Sequence, residues 1–189
     1  MRTMIALGVL AIAPLVPAAS AQSYAMDRGV WTVGGTASVS HTSTSGFDNG
    51  STAISFFPSV GYFFVPGFLV AATLQYAHSS GNGLSSTGIG AGPQLAYYFG
   101  NGSASLHPYL TAAALIGSES QAFMGSSGSS GWWSWRGAGG FALLLARNVA
   151  VTGEAFYGQV HFDAPAAGQS SSYTSGSFGL SFGLSLFLY

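Results

Sequence analysis

The sequence predicts a single all-β domain, an eight-stranded antiparallel up-and-down transmembrane β-barrel preceded by a cleaved leader. Three observations predict it. Charged residues make up only 5% of a chain that is 48% apolar, whereas a water-facing domain carries roughly 25% charge. No segment beyond the leader offers the roughly 20 continuous apolar residues that a membrane helix requires, which leaves a closed barrel as the spanning solution. Finally, segment after segment alternates apolar with small or polar residues at period two.

The leader comes first. Arg2 supplies a basic start, Met4 to Val16 is an apolar run broken by Pro14, and Ala19-Ser20-Ala21 is a small-residue cleavage pattern. Residues 1–21 therefore read as a signal peptide and residues 22–189 as the barrel. The chain has no Cys and no Lys. Disulfides, thiolate metal sites and a lipidated cysteine are excluded. A net charge of −1 offers no basic patch for nucleic acid.

The strands follow in order. In the first, Trp31, Val33, Gly35, Ala37 and Val39 face out against Thr32, Gly34, Thr36 and Ser38. In the second, Ile54, Phe56, Pro58, Val60, Tyr62 and Phe64 oppose Ser55, Phe57, Ser59, Gly61 and Phe63. Phe68, Val70, Ala72, Leu74 and Tyr76 give the third outer face. Ile89, Ala91, Pro93, Leu95, Tyr97 and Phe99 give the fourth. Pro108 to Ile116 forms a fifth strand whose Ala-rich centre declares no face. Trp133, Trp135, Phe141, Leu143 and Leu145 mark a sixth, and Val149 to Tyr157 a seventh. The eighth is the clearest: Phe178, Leu180, Phe182, Leu184, Leu186 and Leu188 on one side, Ser177, Gly179, Ser181, Gly183 and Ser185 on the other.

Connections alternate in length. Val65-Pro66-Gly67, Gly100 to Ser103 and Ala146-Arg147-Asn148 are short, whereas His41–Ser51, His78–Thr87, Ser118–Gly131 and His161–Ser172 read as longer polar outer loops. Aromatics near the strand ends, among them Trp31, Tyr62, Tyr97, Tyr98, Tyr109, Trp132, Trp133, Trp135 and Tyr157, read as interfacial girdles. Pro58 and Pro93 fall inside strands and predict local bulges.

Several of these segments resemble a known family. Pro58-Ser59-Val60-Gly61-Tyr62-Phe63 with Phe68 to Tyr76, and Gly90-Ala91-Gly92-Pro93 through Tyr97-Tyr98-Phe99, resemble strands of small bacterial outer-membrane barrels. His107-Pro108-Tyr109-Leu110 and Arg147-Asn148-Val149-Ala150 are similar as well. The family is the "porin family" of the outer-membrane protein A superfamily. The resemblance implies residence in the cell outer membrane of a Gram-negative envelope, among its lipid and lipopolysaccharide. It also implies biogenesis through periplasmic chaperones and the barrel-assembly machinery, which reads a terminal strand ending in an aromatic residue. Tyr189 ends this chain, with Leu188 as the last lipid-facing position. A monomer is expected.

A barrel of this size has an interior just wide enough for side chains. The functional reading is a structural or surface barrel with outer loops free for interactions, not an enzyme. The alternatives are a lipid A-modifying barrel enzyme, a narrow ion or small-solute pore, and a soluble secreted β-sandwich. No catalytic, cofactor-binding or metal site is assigned, and no cofactor is expected. Arg136 and Glu154 lie on inward faces and must be compensated there. Their offset of four residues is on the order of 13 Å along the strands, long for direct contact. They read as a polar plug, with Gln75 and Gln94 joining the same network; an ion path is the alternative. His41, His78 and His161 sit at the strand rims, where a shared metal would need three converging ligands. A hydrolytic His–Ser pair at His41 or His78 lacks a nearby carboxylate. Asp48, Glu119 and Asp163 read as solvated loop charges, with divalent-cation bridging to lipopolysaccharide as the alternative.

Overall fold

In the computed structural model, residues 25–42, 51–81, 84–100, 104–123, 126–163 and 172–189 are described; the expected leader and Asp48 lie outside them. Eight strands form: β1 (Trp31–Thr42), β2 (Ser51–Val65), β3 (Phe68–Gly81), β4 (Leu84–Tyr98), β5 (Leu106–Phe123), β6 (Ser126–Ala146), β7 (Val149–Asp163) and β8 (Tyr173–Leu188). Each pairs antiparallel with its sequence neighbours, and β8 returns to β1 to close the barrel.

The side-chain faces follow the period-two pattern. Val33, Leu74, Ile89, Phe141 and Leu184 are exposed outside, while Thr32, Thr73, Ser134, Thr152 and Ser181 are buried inside. In β5, where Ala declares nothing, the neighbours decide the face. Leu110 and Ile116 point out, and Tyr109 and Leu115 point in.

The register fixes the tilt. From Leu188 the partners run Trp31, Tyr62, Val70, Leu95, Ala112, Gly137, Tyr157 and back to β8 at Phe178. The circuit thus returns ten residues from its start. A shear of ten across eight strands inclines them by about 40° to the barrel axis. At that tilt the stretch of β6 from Leu145 to Trp135 rises roughly 26 Å, close to the height of a bilayer's apolar band.

Two aromatic belts border this band. Trp31, Tyr62 and Phe64 touch in series near the tight turns, with ring centroids 5.2 and 5.0 Å apart. Trp135 meets Tyr157 at 5.6 Å at the opposite level. Tyr98, Tyr109 and Trp132, which the sequence groups with the belts, are instead directed inward. Proximity to a strand end had suggested the interface, but the alternation assigns them the opposite face.

The tight turns, the described segment that enters β1, and Tyr189 share one end of the barrel, and that end is sealed. Phe63, Leu69, Leu144 and Phe187 form a buried floor with Tyr109, and Ala25 and Val30 pack into it from the preceding segment. Backbone bonds fasten that segment: Gly29 N donates to Phe63 O at 2.9 Å, and Gly67 N to Met26 O at 2.9 Å. Gly67 has a φ of 77°, a conformation that glycine adopts without strain.

Two expectations are corrected here. Neither Pro58 nor Pro93 causes a bulge: the register is the same on both sides of each, and the ladder merely skips there. The shifts fall at Phe63/Val65 and Leu144/Ala146, beside turns, where the chain must reverse. At Pro58 a side chain takes over. The buried Thr73 hydroxyl sits 3.2 Å from Pro58 O and 3.3 Å from Leu74 O, the carbonyl at the register position facing the proline. The second correction concerns the loops. His78–Thr87 and Ser118–Gly131 are largely strand, because β3 reaches Gly81 and β5 reaches Phe123. Their Ser, Thr and Gly show no apolar face, yet beyond the apolar band of the exterior a ladder needs none. Glu119 accordingly lies within β5, not in a loop.

Candidate functional site

The chemistry of the barrel interior gathers at mid-height. Tyr109, Gly140, Glu154 and Ser181 occupy one line of register partners across β5, β6, β7 and β8. Tyr109 donates its hydroxyl to Glu154 Oε2 at 2.8 Å, and Ser181 donates to Oε1 at 2.8 Å. Arg136 reaches down to the same carboxylate, with Nη2 2.5 Å from Oε1 and 2.7 Å from Ser181 Oγ. The side chains of the pair are 13% and 5% exposed, so the charges are removed from bulk water and compensate each other.

Arg136 and Glu154 therefore make direct contact, against the separation expected from their spacing. The four-residue offset is real, since Arg136 faces Gly158 and Glu154 faces Gly140. A flat-sheet distance overstates it. With the strands inclined by about 40°, the tilt cuts the axial separation to roughly 7 Å. The rest is displacement around the wall, and it shrinks because inward side chains converge on the axis. The long guanidinium arm spans what is left. Two rings hold that group, Phe57 at 4.5 Å and Phe156 at 4.2 Å from Arg136 Cζ, in cation–π geometry. Among the described residues its buried Nε has no hydrogen-bond partner.

This knot divides the bore. Toward the tight turns lies a cavity of about 60 Å³ bordered by Thr36, Thr73, Gln94, Tyr98, Tyr109 and Glu154. Toward the hairpins lies another of about 80 Å³, bordered by Ser38, Ser55, Gln75, Ser134 and Ser177. Phe57, Leu115 and Arg136 line both. Gln94 donates to Thr111 Oγ1 at 3.0 Å, and Gln75 lies on the far side of the knot from it. The two glutamines thus flank the charge pair instead of joining its bonds. Above the outer cavity, Trp132 is buried inside the wall.

The histidines do not converge. His78 lies on the outer face of β3, its Nδ1 3.1 Å from Thr87 Oγ1. His161 lies across the barrel on β7, 3.0 Å from Thr174 Oγ1 and 5.5 Å from the Trp133 ring. Both are cross-strand partners of threonine at the rim. The side chains of His41 and Asp163 are outside the described set. Among the described residues no three His, Asp or Glu side chains gather to hold a metal. His78 and Glu154 stand on opposite faces of the wall, so no His–Ser–carboxylate arrangement includes both.

Sequence reasoning found the charge pair but missed Tyr109, Ser181, Phe57 and Phe156 as its partners. His107 was also missed: it is buried near the floor, with Nε2 2.8 Å from Ala104 O. The only signal was parity, since each lies on an inward face.

No family model and no curated protein matches the chain. Among solved structures it is similar to Neisserial surface protein A, with a TM-score of 0.60 at 18% identity over 84% of this chain and 96% of that one. It is similar also to the N-terminal β-barrel domain of OprF from Pseudomonas aeruginosa, with a TM-score of 0.61 at 13% identity over 85% and 98%. At these identities the likeness is one of fold.

Proposed function

We propose that this chain is a structural protein of the Gram-negative outer membrane, a closed scaffold that carries long hairpins beyond the lipid and passes no solute. The observation that carries the reading is the mid-barrel knot. Arg136, Glu154, Tyr109 and Ser181 are mutually bonded and clasped by Phe57 and Phe156, and the floor of Phe63 and Phe187 lies beneath them. An interior so filled leaves no continuous bore. The exterior supports the membrane assignment: Leu74, Ile89, Leu110, Ile116, Phe141 and Phe182 are all exposed on it, a surface suited to hydrocarbon and costly in water. On this reading the barrel is a monomer among phospholipid and lipopolysaccharide, assembled through periplasmic chaperones and the barrel-assembly machinery.

Two measurements test it. Detergent-extracted protein should run as a compact band that shifts on boiling, and release of the native chain without detergent would exclude the membrane assignment. In planar bilayers it should show no steady current. A reproducible single-channel conductance would replace the scaffold with a narrow pore running past Arg136.

A further inference from the structure

At the outer end six of the eight strand seams run to the end of at least one partner, and the β2–β3 seam stops one residue short, at Thr52↔Ser80. The seam between β1 and β8 stops earlier. It pairs from Trp31↔Leu188 to Ser38↔Ser181 and stops there, although β1 continues to Thr42 and β8 begins at Tyr173. Both strands keep their other neighbours over this stretch, through Thr42↔Ser51 and Phe162↔Tyr173. The same register would set Val39 against Leu180 and His41 against Phe178, yet these are unpaired. Among the described residues this is the longest stretch over which two neighbouring strands run side by side without pairing.

That place lies just below and at the outer aromatic belt, because Phe178 is the register partner of Tyr157. Outside, its flanks are apolar: Phe178 is 83% exposed, Val39 66% and Leu180 53%. Inside, the outer cavity reaches both flanks, since Ser38 and Ser177 line it along with Gln75 and Ser134. Unpaired backbone N–H and C=O groups are costly in hydrocarbon, so this gap needs something that offers both polar atoms and a hydrocarbon surface.

We propose that the unzipped seam is a lateral portal, through which the outer cavity accepts the head of a single-chain amphiphile from the membrane while its alkyl chain lies along Val39, Leu180 and Phe178. The head is an uncharged hydroxyl or amide. Arg136, the charged group bordering the cavity, is already neutralised by Glu154, so an ionic head would leave a charge uncompensated. A cavity of about 80 Å³ admits a small head and no second chain. The proposal rests on the membrane assignment above.

The absence of cysteine allows a clean test. In the double variant Val39→Cys/Leu180→Cys an oxidant should staple the seam, and a reductant should release it. The probe is dodecan-1-ol, added to the barrel in deuterated phosphocholine micelles and followed by NMR. The expected result is magnetisation transfer from the hydroxyl-bearing methylene to the Gln75 side-chain amide and the Ser38 and Ser177 amides. It should be present in the natural chain and in the reduced variant, and lost on oxidation. Of the amides from Val39 to Thr42, those turned toward β8 should also exchange at least about tenfold faster than the β8-facing amides from Val33 to Ala37. Contacts that survive the staple, or that reach only Val39, Leu180 and Phe178, overturn the portal, as does uniformly slow exchange. If the thiols do not join, Ser177→Leu closes the cavity mouth from within, and persistence of the Gln75 contact there overturns it equally. A chain stable without micelles would instead remove the membrane assignment, a separate failure.

Discussion

Tyr109 and Glu154 are hydrogen-bonded at 2.8 Å although a whole strand lies between them. The strand is β6, and the residue it contributes to their register line is Gly140. A Cβ built there would stand 2.8 Å from Glu154 Cβ and 2.2 Å from Gly153 O. The missing side chain is what lets the tyrosine reach over.

Gly140→Ala should therefore destabilise the barrel by about 1–3 kcal/mol, the usual range for overpacking. Urea-induced unfolding from lipid vesicles measures it. A variant as stable as the natural chain would mean that β6 and β7 can part locally at no cost.

The charge pair makes a sharper prediction. Glu154→Leu leaves Arg136 buried without its counter-charge and should cost about 3–5 kcal/mol. The double variant Arg136→Met/Glu154→Leu removes both charges and should recover most of that loss. The same unfolding measurement checks both. Additive losses would show that the two side chains act independently.

Thr73 takes over where Pro58 lacks an N–H. Thr73→Val should cost about 1 kcal/mol for the lost hydroxyl contacts. Adding Pro58→Ala restores a backbone donor toward Leu74 O, so it should shrink that penalty. An unchanged penalty in the double variant would assign the hydroxyl another role.

Trp132 closes the interior above the outer cavity by lying on glycines. A Cβ at Gly90 would stand 2.2 Å from its ring. Gly90→Ala should thus weaken the natural barrel by about 1–3 kcal/mol and be tolerated once Trp132→Leu has cleared the space. The midpoint of the heat-induced gel shift reads both. Equal losses in the two backgrounds would mean that the ring moves aside freely.

The outer face of the barrel was legible because an apolar exterior imposes a local rule. Phe178 to Leu188 alternate whatever lies across the barrel, and the sequence records it. The interior obeys a different rule. Whether Arg136 touches Glu154 depends on the shear of the closed sheet, a sum over eight seams that no single strand encodes. Tyr109 and Trp132 were misplaced for a related reason: aromatic identity suggests an interface, whereas facing is set by parity within a strand. The polar hairpins of β3–β4 and β5–β6 were read as loops because pattern reports burial, and their extended ends need not bury anything. Register continuity across Pro58 was invisible because it is secured by Thr73, fifteen residues away.

The floor joins opposite extremes of the chain. Phe187 stacks near Phe63 with ring centroids 6.2 Å apart and donates its backbone N–H to Asn148 O at 2.9 Å, while Ala25 and Val30 pack into the same cluster. Synthesis makes Ala25 and Val30 well before Phe187, so an intermediate that stops short of β8 lacks a member of the cluster that holds the segment before β1. Closure of the barrel and sealing of its floor thus both wait on β8, the strand that pairs with β1 and supplies Phe187.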